Sequence, residues 1–157
     1  MNATAAIKQG IQVIYQDFSL FPNLTVAENI LLTSSVADQR KMYRKNEARQ
    51  KAREIIADLG LDLDIDREVE SLPVADKQLT AICRALVHDA RIIILDEPTA
   101  HLDSATQSRV LDALRELKER GHTVVVVAHR EAVVALADDV ITVASEREDA
   151  DHVNDHI

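Results

Sequence analysis

Arg91-Ile92-Ile93-Ile94-Leu95-Asp96-Glu97-Pro98-Thr99 is the stretch on which the reading of the chain turns. Its apolar run, mostly β-branched, predicts a short buried strand, and the polarity then switches abruptly to two adjacent carboxylates. Pro98 discourages the strand from continuing and predicts a loop. Carboxylates at the carboxyl end of a buried strand lie where open α/β sheets bind ligands. A first carboxylate there can hold Mg²⁺ beside a nucleotide while its neighbour polarises a water. Taken alone, Asp96-Glu97 reads equally as a solvated acidic turn, so the flanking segments have to decide.

Downstream, Asp103 or Ser104 can cap a helix whose buried stripe is Val110, Leu111, Leu114 and Leu117. Gly121 stops it, and His122 to Val127 predicts a second apolar strand. Ala128-His129-Arg130 leaves that strand, a short helix runs to about Ala137, and Val140 to Val143 reads as a last weak strand. Upstream, Leu72 to Gln78 reads as a loop feeding a helix with Leu79, Ile82, Cys83 and Leu86 on one face. Earlier still, Ile11 to Tyr15 predicts a strand that ends at Gln16-Asp17. Thr25 with Glu28 forms a capping box for a short helix, Val26 to Leu32. Ala52, Ile55, Ile56 and Leu59 stripe a further polar helix, which Gly60 ends. Both continuous apolar strands predict cover on two sheet faces. Strands separated by helices imply an α/β layered domain with a mainly parallel sheet.

Composition narrows the functional classes. A length of 157 residues, 46% of them hydrophobic, fits one domain with its own core. A formal charge of −9 argues against a general phosphate-backbone binder, and 3% aromatic content leaves little for base stacking. Nucleic acid is therefore not an expected partner. The single cysteine, Cys83, excludes an intrachain disulfide framework and reads as a small core side chain. Neither a signal peptide nor an apolar run of membrane-spanning length is legible, so a cytoplasmic chain is expected. Leu61 to Glu70 is acidic and reads as a solvated, irregular face rather than a metal site.

Together these segments resemble the nucleotide-binding subunit of ATP-binding-cassette (ABC) transporters, above all the first cassette of the tandem ATPases of simple-sugar importers. Tyr15 to Ile30 resembles the glutamine loop and its helical continuation, and Ile94 to Thr99 the Walker B motif. Ala100-His101-Leu102-Asp103 is similar to the D-loop, and Val127 to Arg130 to the switch-histidine segment. The resemblance implies a P-loop NTPase-type three-layer α/β domain over residues 1–144, with a helical subdomain at about 22–88 and a charged, frayed tail at 145–157. It also implies ATP and Mg²⁺ as cofactors. Asp96 and Gln16 would hold Mg²⁺, Glu97 would orient or deprotonate the attacking water, and His129 would contact the γ-phosphate. Val74 and Ala75, in the signature segment, would face the nucleotide of a second cassette, and Asp103 would communicate across that pair. The implied partners are transmembrane permease subunits and a second cassette, which places the chain at the inner face of the cell membrane.

Two departures from the family pattern matter. Pro73 stands where the signature carries Ser and offers neither a hydroxyl nor an amide donor. Asp76 replaces a common Gln and adds negative charge near a phosphate. In addition, none of Gly10, Gly60 and Gly121 precedes a lysine, so the Gly-Lys-Ser/Thr phosphate loop of Walker A is not found in these residues. The expectation is a truncated cassette, its middle and later part, that hydrolyses ATP poorly in isolation and leaves apolar sheet side chains uncovered. An inactive, cassette-derived module docking on a transporter or another cassette is the alternative.

Overall fold

The computed structural model describes residues 6, 9–37, 45–87 and 89–143; the tail 145–157 and the segment 38–44 lie outside them. Three strands form a parallel sheet in the order β1-β2-β3: β1 Ile11–Ile14, β2 Ile92–Asp96 and β3 Thr123–Val127. Ile11 pairs with Ile92, and Ile92 with Thr123; the register runs on to Asp96 opposite Val127. The decisive strand is thus central, and its carboxylates emerge beside the ends of both neighbours.

Between β1 and β2 the chain makes α1 (Val26–Ala37), α2 (Lys45–Asp58), a single 3₁₀ turn at Val69–Ser71, and α3 (Val74–Val87). α4 (Ser104–Glu119) links β2 to β3, and α5 (Glu131–Val134) follows β3. α3 packs on β1 and α4 on β3, while α1 and α2 pack on α3. Ile93 and Leu95 from the sheet, Leu79 and Ile82 from α3, Val110 and Leu117 from α4, and Val26 and Ile30 from α1 close one continuous core. Cys83 is a buried part of it, and burial pushes its thiol up to about 12, so it behaves as a small apolar side chain.

The capping box forms as read. Glu28 accepts from both the Thr25 amide and hydroxyl at 2.9 Å, and Thr25 Oγ1 accepts from the Glu28 amide at 3.3 Å. Gly60 and Gly121 both take left-handed backbone just past a helix end, with φ of 62° and 85°.

Three boundaries differ from expectation. α1 runs to Ala37 rather than Leu32. α3 begins at Val74, so most of the expected Leu72–Gln78 loop is helix. Pro73 ends the preceding extended segment, its carbonyl takes the Lys77 amide at 3.1 Å, and Asp76 in the first turn suits the helix dipole. α5 is regular only over Glu131–Val134, although hydrogen-bonded turns carry on to Ala137.

Val140–Val143 is not a strand: it has no neighbouring ladder among the described residues, and Ile141 is 90% exposed. A segment can be β-prone and still remain coil when no strand edge reaches it.

The helices cover one face of the sheet, and apolar side chains on the other are left uncovered. Ile14, Ile93 and Leu95 are buried under the helices, whereas Val13, Val125 and Val127 on the other face are 40%, 44% and 56% exposed.

Candidate functional site

All three strands run in the same direction, so their carboxyl ends converge on one rim of the sheet. Gln16 follows β1, Asp96-Glu97 ends β2, and His129 follows β3. The Glu97 amide donates to Val127 O at 2.8 Å, which carries the ladder one residue past β2 and sets Glu97 beside the exit of β3. His129 Nδ1 then meets Glu97 Oε1 at 2.7 Å. The imidazole is 80% exposed, whereas the carboxylate is only 22% exposed. Glu97 Oε2 is buried and has no hydrogen-bond partner in the protein.

That carboxylate lines a cleft of about 240 Å³ together with Gln16, Phe18, Val74, Pro98, Ala100 and His101. The structure therefore brings together Gln16, Glu97 and Val74 around one cleft, with His129 hydrogen-bonded to Glu97. Asp96 is exposed at the end of β2, adjacent to the cleft in sequence but not among its lining residues. Ala75 is buried in α3, and Asp103 caps α4.

The walls of the cleft are strained. Phe18, Glu97 and His101 have φ of 61°, 46° and 62°, and Ser19 beside them has 47°. L-residues avoid this left-handed region at a cost of about 1–2 kcal/mol each, and such outliers gather at functional sites.

Asp103 Oδ1 accepts the Thr106 amide at 2.8 Å as the N-cap of α4. That backbone hydrogen bond, then the one from the Thr106 hydroxyl, holds its carboxyl below the ordinary value. The folded state thus favours the charged form. The contribution is complete above the unfolded carboxyl's pKa and disappears as pH falls through the lower folded one. Asp103→Ala is expected to lower the urea midpoint at about pH 7 and to match wild type at about pH 2. A difference that survives acidification would mean that the cap is not the cause.

Asp76, read as a repulsive charge near a phosphate, is paired. Arg109 Nη1 lies 2.8 Å from Asp76 Oδ1, close enough for an ion pair although angled out of hydrogen-bond alignment. The helix start is therefore less anion-repelling than the sequence implies.

Other side chains that hold the site carry no motif signal of their own. Arg84 on α3 donates to Ser19 O at 2.6 Å and Phe18 O at 2.9 Å, and burial lowers its pKa from the ordinary value. Arg130 donates to Leu102 O at 3.3 Å and to Gln107 Oε1 at 3.2 Å, tying the exit of β3 to the loop before α4. Thr99, directly after Pro98, is fully buried with no partner for its hydroxyl.

The profile of the ABC transporter family matches residues 1–100. The chain belongs to the ABC-transporter ATPase family. It is 38% identical over 129 residues to arabinose import ATP-binding protein AraG 1 of Burkholderia cenocepacia (strain HI2424), covering 82% of this chain and 25% of that protein. It is also 38% identical over 143 residues to ribose import ATP-binding protein RbsA of Hahella chejuensis (strain KCTC 2396), covering 91% and 28%. The ABC chain thus spans about a quarter of the length of these curated relatives. Among solved structures it is similar to the dimeric post-hydrolysis state of the ATP-binding cassette MJ0796 bound to ADP and Pi. That match has a TM-score of 0.71 at 31% identity, over 88% of this chain and 61% of the cassette. The parallel sheet with a helical subdomain is the architecture of an ABC ATPase. No helix among the described residues is long and apolar enough to cross a membrane.

Mg²⁺ fits the oxygen donors that are present. Mg²⁺ takes oxygen ligands, commonly one or two carboxylates completed by phosphates and water. Asp96 and Gln16 are exposed oxygen donors on adjacent strand ends, and Glu97 follows Asp96 directly. No cluster of three or more His, Cys, Asp or Glu able to hold a metal without such help occurs among the described residues.

Proposed function

We propose that the chain is the water-activating part of an ATP-hydrolysing cassette that energises a sugar importer. One observation carries the reading: Glu97, held by His129 at 2.7 Å, lines a cleft together with Gln16, and its second oxygen is buried with no partner in the protein. Glu97 Oε2 is the acceptor that orients a water and takes its proton as attack on the γ-phosphate proceeds. His129 fixes the carboxylate through Oε1, and its exposed ring is placed to turn toward a phosphate. Gln16 orients the same water from the end of β1, and Asp96 with Gln16 would hold Mg²⁺. When bound, that ion would neutralise charge on the phosphate oxygens.

Val74 and Ala75 at the start of α3 would face the nucleotide of a second cassette, and Asp103 would communicate across the pair. The likeness to named arabinose and ribose import proteins supports a simple sugar as cargo and permease subunits as partners. It likewise supports a peripheral place at the inner membrane face. Gly-Lys-Ser/Thr does not occur in the 157 residues, so the phosphate cradle is a further element that this part needs for turnover.

Magnesium-dependent ATP hydrolysis tests the reading. The chain alone is expected to stay at the level of its Glu97→Gln variant. Joined behind the phosphate-loop segment of a related sugar importer, it is expected to turn over ATP. There Glu97→Gln should cut the rate by about 10²–10⁴-fold, the range of general-base catalysis. A joined protein no faster than its Glu97→Gln variant would favour the second reading, a docking module without turnover. The open apolar sheet face at Val125 and Val127 is what speaks for that alternative.

A further inference from the structure

The turn that carries Gln16 toward the cleft is held from outside its own segment. Phe18 donates its amide to Tyr15 O at 2.9 Å, closing a tight turn around Gln16 and Asp17. Phe18 and Ser19 then both adopt left-handed backbone, φ 61° and 47°, although neither is glycine. Two consecutive residues in that region do not stay there unaided. Within the segment, further support comes from the exposed Ser19 hydroxyl, which donates to Asp17 Oδ1 at 3.2 Å.

The missing restraint comes from α3. Arg84 spreads its guanidinium across the two strained residues, with Nη1 on Ser19 O and Nη2 on Phe18 O. Two donors in one rigid plane fix both carbonyl directions at once, which a point-like ammonium cannot do. The same helix opens with Val74, which lines the cleft together with Gln16 and Phe18. One rigid element therefore forms part of the cleft wall and grips the turn that supplies another part. β1 anchors the turn on one side, and Asn29 holds Phe21 on the other.

We infer that Arg84 is a positioning residue: its two-carbonyl grip on Phe18 and Ser19 couples helix α3 to the placement of Gln16 in the cleft. Movement of α3 is thereby transmitted to the Gln16 turn, and the turn cannot rearrange without releasing Arg84. The inference rests on the proposed role of Gln16 only for its functional meaning. The coupling itself belongs to the nucleotide-free chain.

Residue-resolved amide hydrogen exchange by NMR on the intact 157-residue chain, without nucleotide, tests it. In Arg84→Met the Phe18 amide is expected to lose about tenfold in protection, the scale of one charge-assisted hydrogen bond. Amides of β2 and of the α3 interior should stay within about twofold of wild type. Arg84→Lys keeps the charge and the aliphatic stem, so it carries the test should the Met variant fail to fold. It is expected to restore only part of the protection, because one ammonium cannot serve both carbonyls in the same geometry. Unchanged Phe18 protection in either folded variant would overturn the inference. So would a uniform rise across β2 and α3, which would make Arg84 a general stabiliser. Absence of ATP turnover in the joined protein would defeat the proposed function and leave this result untouched.

Discussion

Ile93→Ala is expected to destabilise the chain by about 3–5 kcal/mol, whereas Ile94→Ala, one residue along the same strand, costs about 1 kcal/mol. Ile93 is fully buried on the face of β2 that the helices cover, and truncation there leaves a cavity that tight packing refills poorly. Ile94 points to the opposite face, level with Val13 and Val125, which are 40% and 44% exposed. It already gives up much of its transfer energy to solvent, and no packed layer closes over it among the described residues. A domain has only about 5–15 kcal/mol in hand, so the first change should leave much of the chain unfolded in mild urea. Urea midpoints of the two variants, taken in dilute solution, decide the matter. Equal losses would mean that the open face is covered in solution.

Asn29→Leu is expected to cost about 3 kcal/mol or more, despite being close in size and apolar. The Asn29 side chain is fully buried and serves the loop between β1 and α1 from both its ends. Its Oδ1 accepts the Phe21 amide at 2.8 Å, and its Nδ2 lies 2.9, 3.2 and 3.1 Å from the carbonyls of Phe21, Leu24 and Thr25. Leucine would supply none of these contacts, and the Phe21 amide would lose its partner inside the protein. Each such loss costs about 1–3 kcal/mol, well beyond what extra apolar burial returns. Equilibrium unfolding of Asn29→Leu beside wild type measures it; Asn29→Asp keeps the acceptor for the Phe21 amide but sets a buried carboxylate against three carbonyls, so it is expected to be destabilised as well. A leucine variant as stable as wild type would show that the loop finds other partners.

Local sequence rules were enough for the elements and their order. Apolar runs at Ile11–Tyr15, Ile92–Leu95 and His122–Val127 predict the three strands within a residue or so of where they lie. Thr25 with Glu28, Asp103, Gly60 and Gly121 mark helix ends through chemistry that acts over three or four residues. The candidate site was legible for the same reason. Gln16, Asp96, Glu97 and His129 all directly follow apolar runs, and parallel strands put the ends of such runs on one rim.

What tertiary structure alone decided is who touches whom across long separations. An apolar strand does not say which of its faces will be covered; that depends on which helices return to it, and here they return to the side of Ile93 and Leu95. Val140–Val143 has strand-like composition, but strand formation requires a neighbouring edge, and the described chain brings none to it. Arg84 and Asn29 look like an ordinary helix cation and an ordinary helix amide until the fold sets carbonyls of the Gln16 turn and the loop after it against them. The sequence separates the roles of Asp96 and Glu97 but not their contacts: parallel pairing with β3 sets one oxygen of Glu97 against His129 and leaves the other buried without a partner.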